Sequence, residues 1–155
     1  MSFYYFDSSA LVKRYLTEIG SGWVFTITNP AAGHTIIVAE ITRVEVSAAL
    51  AARHRAPVGL TRQERDDAVD LLYSHYDIEY QSIPTSPTLL DRAVTLTQNH
   101  RLRGYDAVQL ATALLAQERL VAAGLPGLIF TVADNDLVTA ARAEGLATEN
   151  PNDHR

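Results

Sequence analysis

The sequence of 155 residues contains no cysteine. Disulfides and thiolate metal sites are therefore excluded, nothing points to an oxidising compartment, and a reducing cytosol is the expected location. No apolar run approaches the roughly 20 residues that span a bilayer. The opening MSFYYFDSS lacks the basic start and apolar core of a signal peptide, so neither export by that route nor membrane insertion is expected. Positive charge is also short, since 13 Lys and Arg against 18 Asp and Glu leave a net charge of −5. That sign argues against a module that grips nucleic acid through a general electrostatic footprint. It weighs less against a nuclease, whose acidic site is charge-inverted by bound cations and whose phosphate contacts come from a few local arginines. Two such local groups exist, Arg53 to Arg55 and His100 to Arg103. Repeats, low-complexity tracts and linkers are missing as well, which leaves one domain over residues 1–150 and a polar tail over 151–155.

What is present is ordinary for a folded domain, with 47% hydrophobic and 20% charged residues. Short apolar runs alternate with helical patterns. Phe3 to Phe6 predicts a strand, closed by Asp7 and followed by Ala10, Leu11 and Leu16 at helical spacing. Thr35 to Ala39 predicts a second strand leading into a helix from Ile41 to Arg53. Ile78 to Ile83 predicts a third, followed by a helix through Leu89, Ala93 and Leu96. Leu128 to Val132 predicts a fourth strand with a helix ending near Gly145, and Leu146 to Thr148 a short edge strand. Further helices are predicted over Thr61 to His75 and Asp106 to Ala122. Strands alternating with helices imply a parallel sheet flanked by helices, an α/β architecture. Trp23 to Thr28 has the composition of a strand where this architecture prefers a helix.

In an open parallel sheet, ligands bind beyond the carboxyl ends of the strands. Asp7 closes the first strand, Asp134 follows the fourth, and Asp106 starts the long helix. Each also fits a helix N-cap, so taken singly both readings stand. Glu45 lies within the stripe Ile41, Val44, Ala48, Ala49 and Ala52, where an ionised carboxylate must be paired, hydrogen-bonded or metal-bound. Its bland alternative is a salt bridge to Arg43 or Arg14. Glu40 is assigned to the helix dipole, and Glu64, Asp66, Asp67 and Asp70 to a solvated face. The five histidines lack metal-ligand spacing and are expected at the surface, with His100, Arg101 and Arg103 as candidates for RNA phosphate contacts or a solvated loop.

The segments FDSSALVKRY, ITRVEVSAAL, LRGYDAVQLATALL and VADNDLVTAARAEGL, in this order, resemble the PIN-domain nucleases, closest to the VapC-type toxins of toxin–antitoxin pairs. The resemblance spans Asp7 to Pro151. It implies a three-layer α/β/α sandwich with a four- or five-stranded parallel sheet, a helix over Trp23 to Thr28, and an endoribonuclease. It also implies a site of Asp7, Glu45, Asp106 and Asp134, with the Ser9 hydroxyl in support. The fourth motif departs from the family, carrying Val132 two residues before the acid and Thr131 one place earlier, so Asp136 is a candidate to share the role of Asp134. The chemistry agrees: clustered carboxylates need protons or cations, and an all-oxygen set at Asp7, Asp106 and Asp134 calls for Mg²⁺ or Mn²⁺ rather than Zn²⁺. The expected partners are RNA, an antitoxin with a basic inhibitory segment, and a second copy of the chain in a homodimer. The alternatives are a catalytically silent RNA-binding module of this fold and an aspartate-based phosphohydrolase or phospho-acceptor. The last two call for a second acid where Ser9 stands, or a late strand-end lysine, and the only lysine is Lys13.

Overall fold

Runs of β-branched and aromatic residues that are buried on both faces form the central strands of parallel sheets. In the computed structural model, which describes residues 1–155, five strands make one parallel sheet. They are β1 (Phe3–Phe6), β2 (Thr35–Ala39), β3 (Tyr80–Ile83), β4 (Leu128–Thr131) and β5 (Ala147–Glu149), in the spatial order β3-β2-β1-β4-β5. Seven helices flank it: α1 (Ser8–Leu11), α2 (Ser21–Thr28), α3 (Thr42–Arg55), α4 (Arg62–Ile78), α5 (Pro87–Asn99), α6 (Gly104–Ala122) and α7 (Asn135–Ala143). Alternation along the strands divides the core. Tyr5, Ile37 and Phe130 pack against α5, α6 and α7 through Leu89, Leu110 and Leu137. Phe6 and Val38 face the other way, against Leu11, Val24, Val46 and Leu72 of α1 to α4. The expected three-layer sandwich is therefore observed, with five strands.

Chain order reverses between β1 and β4, the central neighbours, which are locked by register pairs from Phe3 with Leu128 to Phe6 with Thr131. Such a reversal opens a crevice at the carboxyl ends of the two strands. Asp7 extends the pairing by one bond, its N–H donating to Thr131 O at 3.2 Å.

Four local expectations change. Trp23 to Thr28 is the helix α2, because β1 already has a neighbour on each side and the hydroxyls of Thr26 and Thr28 donate to the carbonyls of Gly22 and Val24. Gly20 starts it with φ +85°, and a Cβ there would meet Pro151 O at 2.3 Å, so only glycine fits beneath the chain end. The buried stripe of α3 is Thr42, Val46 and Leu50, whereas Val44 is 66% exposed, so Glu45 borders the buried face instead of lying at its centre. The α4 helix continues to Ile78, which delays β3 to Tyr80 and leaves Leu71 exposed. His75 is buried, its Nδ1 2.6 Å from the Tyr15 hydroxyl, contrary to the surface role expected for the histidines. At the chain end, Pro151–Asp153 form a single 3₁₀ turn, and the His154 ring stacks on Trp23 at 4.4 Å between centroids.

Candidate active site

The acidic side chains are held by a few local devices, and of the four expected residues only Asp106 and Asp134 line the cleft described below. Asp7 leaves β1 with extended backbone angles and caps α1, its Oδ1 accepting from the Ala10 N–H at 3.0 Å and from the Ser9 hydroxyl at 2.7 Å. Asp134 caps α7 in the same way, Oδ1 accepting from the Leu137 N–H at 3.0 Å. The capping expectation thus holds for both, but it occupies only one oxygen of each. No protein group donates to either Oδ2, and the only buried side-chain oxygen or nitrogen without a partner in the molecule is Thr131 Oγ1, so Oδ2 of the buried Asp7 opens to solvent. Asp106 is not a cap. Arg103 occupies that position and α6 starts at Gly104, leaving Asp106 half-buried in the first turn, where its charge meets the positive end of the helix.

Ser9 ties the two strand ends together. Its Oγ donates to Asp7 and accepts from the Ala133 N–H at 2.9 Å, bridging the start of α1 to the loop before α7. Glu45 is held from both sides by neutral donors, with Ser8 Oγ on Oε2 at 2.9 Å and Gln109 Nε2 on Oε1 at 2.7 Å. Neither expected salt bridge forms, since Arg43 pairs with Glu40 and Arg14 with Glu79.

The ionisation of these groups links them into one field. Burial pushes the Asp7 carboxyl up to about 7, and the charges of Glu45 and Asp106 add to the rise against the bonds from Ser9 and Ala10. Asp106 is raised by burial and then by Asp134 and Asp136, with Arg103 opposing. Glu45 is raised by burial and by Asp106, with Gln109 and Ser8 opposing. Asp106 is the common member, within electrostatic reach of all the others.

A cleft of about 350 Å³ lies beside it, lined by His100, Arg101, Arg103, Asp106, Asp134 and Asp136 among others. The chain therefore brings two exposed arginines to the same opening as three aspartates. His100 is partly drawn away, its Nε2 3.7 Å from Glu144. The basic group Arg53 to Arg55 lies at the far end of α3, where Arg53 pairs with Glu18. At the departure in the fourth motif, Val132 packs in the core with α7 and the Thr131 hydroxyl is buried without a partner, so neither side chain touches the acids. Both Asp134 and Asp136 line the cleft, and the charge of Asp134 acts more strongly on Asp106.

Sequence patterning gave no sign of Ser8, Thr42 and Gln109. A buried glutamine within an apolar helix stripe was the available signal, since such an amide requires partners.

No three His, Cys, Asp or Glu side chains close into a group that encloses a metal ion. The all-oxygen chemistry of Asp106, Asp134 and Asp136 at the cleft nevertheless suits Mg²⁺, which keeps several waters and takes only one or two protein carboxylates.

Comparison with known proteins agrees with this layout. A family model described as PIN domain matches residues 4–125. Two curated relatives from Mycobacterium tuberculosis, Ribonuclease VapC45 and Ribonuclease VapC49, are each 35% identical over 145 residues, covering 94% of this chain and 93% of the relative. Among solved structures, a toxin–antitoxin complex from Klebsiella pneumoniae is 20% identical and superposes with a TM-score of 0.59, covering 96% of this chain and 97% of the other. With the family model matching residues 4–125 and the two relatives 35% identical over 94% of its length, the chain belongs to the PIN-domain family, on the VapC branch.

Proposed function

We propose that this protein is an endoribonuclease that hydrolyses RNA phosphodiester bonds in the crevice beyond β1 and β4, as the toxin of a toxin–antitoxin pair. The observation that carries the reading is the cleft where Arg101 and Arg103 stand over Asp106, Asp134 and Asp136. It is supported by the ribonuclease names of the two mycobacterial relatives.

Asp7, Asp106 and Asp134 are the residues that would hold Mg²⁺ or Mn²⁺, with Asp136 in support. Such an ion supplies a more acidic bound water and offsets charge developing on the phosphate and leaving oxygen. The chain's own residues supply the rest. Arg101 and Arg103 hold the phosphate backbone, His100 flanks them, and Ser9 holds one oxygen of Asp7 against the loop before α7. Glu45, held by Ser8 and Gln109 and with its pKa raised by burial, is assigned to accept a proton from the attacking water. An aspartyl-phosphate pathway is disfavoured because the residue two beyond Asp7 is Ser9, whose hydroxyl is already committed to Asp7 and Ala133.

Incubating the purified, partner-free protein with total cellular RNA, with and without Mg²⁺, tests the reading. Cleavage that EDTA abolishes is expected. Undiminished cleavage in excess chelator would remove the ion from the mechanism, and no cleavage in either condition would leave a silent RNA-binding module.

The proposed partner is an antitoxin whose basic segment enters the acidic crevice and pairs with its carboxylates. The similar Klebsiella structure is of a toxin–antitoxin complex, which supports this reading, and co-purification from the native host should bring down a small protein with such a segment. A second copy of the chain is also proposed, to cover Leu90, Val94 and Tyr105, exposed apolar residues along the α5 and α6 groove. A monomeric mass by light scattering would end that part of the proposal.

A further inference from the structure

We propose that Gln109 is a positioning residue that fixes the carboxylate of Glu45, its own amide held in place by Tyr5 and Thr42. The proposal rests on the reading of Glu45 as a working carboxylate of the site.

Gln109 lies in α6, three residues after Asp106 and so on a neighbouring face of the same turn, and is 1% exposed. An amide buried to this extent is tolerated only when its donors and acceptor are bonded. All are. The Tyr5 hydroxyl donates to Oε1 at 2.6 Å, while Nε2 donates to Thr42 Oγ1 at 2.8 Å and to Glu45 Oε1 at 2.7 Å. Three elements, β1, α3 and α6, therefore meet on one side chain. Tyr5 and Thr42 are both 0% exposed, so no water replaces either contact.

The chemistry of the partners fixes the orientation of the amide. An ionised carboxylate accepts hydrogen bonds and donates none, so the amide must present its NH₂ to Glu45. A flipped amide would set oxygen against oxygen and take the acceptor from Tyr5. Ser8 holds the other Glu45 oxygen, so the carboxylate is clamped between α1 and α6 and cannot rotate about its terminal bond without losing a donor. Both clamps are neutral. An arginine at this place would orient Glu45 equally well, but would cancel its charge and compete with a cation in the crevice. A glutamine orients the group and leaves its charge to the site.

Four variants separate this role from a packing role: Glu45→Gln, Gln109→Leu, Gln109→Met, and the exchange Glu45→Gln with Gln109→Glu. Each is followed by RNA-cleavage kinetics with Mg²⁺ and by thermal melting. Gln109→Leu is expected to lower kcat by about 10- to 100-fold, as loss of an orienting partner does, with KM for RNA moved by less than about twofold. The exchange restores the hydrogen bonds, because a carboxylate at position 109 accepts from Tyr5, Thr42 and the new amide. Its melting temperature should return toward that of the wild type while cleavage stays lost. A Gln109→Leu protein that circular dichroism finds folded and that keeps full kcat overturns the proposal. If that variant does not fold, Gln109→Met keeps the size and removes both donors, and full kcat there overturns it equally. Full activity in Glu45→Gln overturns instead the reading of Glu45 on which the proposal rests.

Discussion

Asp7 illustrates how a single residue serves fold and site at once. It caps α1 through Oδ1, yet its carboxyl is held near pKa 7 by burial and by the charges of Glu45 and Asp106. In the metal-free protein this folded-state preference for the proton has a definite sign. A carboxyl whose pKa is raised on folding contributes stability that is complete below its unfolded value and is lost as pH rises through the folded one, here between about pH 4 and 7. His75 contributes in the opposite direction, since its lowered pKa makes the folded state resist protonation. Asp7→Asn isolates the first effect, because asparagine caps a helix about as well as aspartate but does not titrate. The variant is expected to melt above the wild type at pH 8 without metal, with the gap closing toward pH 5. Parallel melting profiles across that range would deny Asp7 its raised pKa. The four acidic positions were legible in the sequence because strand ends and the family's motifs marked them. Glu45 was located by a misphased stripe, however, and of the neutral donors that hold it only Gln109, a glutamine within the apolar stripe of α6, carried a signal visible in one chain.

At the level of elements, the strands and most helices followed from periodicity, since β1, β2 and β4 are short, doubly buried apolar runs bounded by polar residues. α2 did not. Its residues are β-branched and aromatic, and what makes them helical is the sheet's closed pairing about β1, a tertiary fact. The connection that matters most for the site is also tertiary, for Ser9 joins the β1–α1 turn to the loop between β4 and α7. Ser9→Ala removes a donor from Asp7 and leaves the Ala133 N–H without its acceptor, which costs about 1–3 kcal/mol where the group stays dry. Activity should fall by about 10- to 100-fold, as for an outer group that orients a ligand. A variant with unchanged melting and unchanged cleavage would mean that the two strand ends hold their spacing without the serine.

Over the whole molecule, the crevice concentrates negative charge in a chain that is already at −5, and its folding must work against that field. Asp106 is where the opposing effects meet. Its place in the first turn of α6 favours a negative charge by about 0.3–1 kcal/mol, and Arg103 helps. Burial, Asp134 and Asp136 act the other way, and the raised pKa of Asp106 means that they prevail. Asp106→Asn should therefore melt higher than the wild type in EDTA at pH 8, where the wild-type carboxylate is ionised. A divalent cation changes the order. Binding to the folded state alone stabilises by about 2.7 kcal/mol at a ligand concentration 100 times the dissociation constant. The wild type, with its full set of acids, should gain most of that on adding Mg²⁺, and Asp106→Asn, with one proposed ligand fewer and a weaker field, should gain much less. The two melting curves are thus expected to approach or cross as Mg²⁺ is raised, while RNA cleavage is present only in the wild type. Equal Mg²⁺-induced shifts in both proteins, with cleavage retained in Asp106→Asn, would leave this helix terminus a structural feature and move the site elsewhere in the crevice.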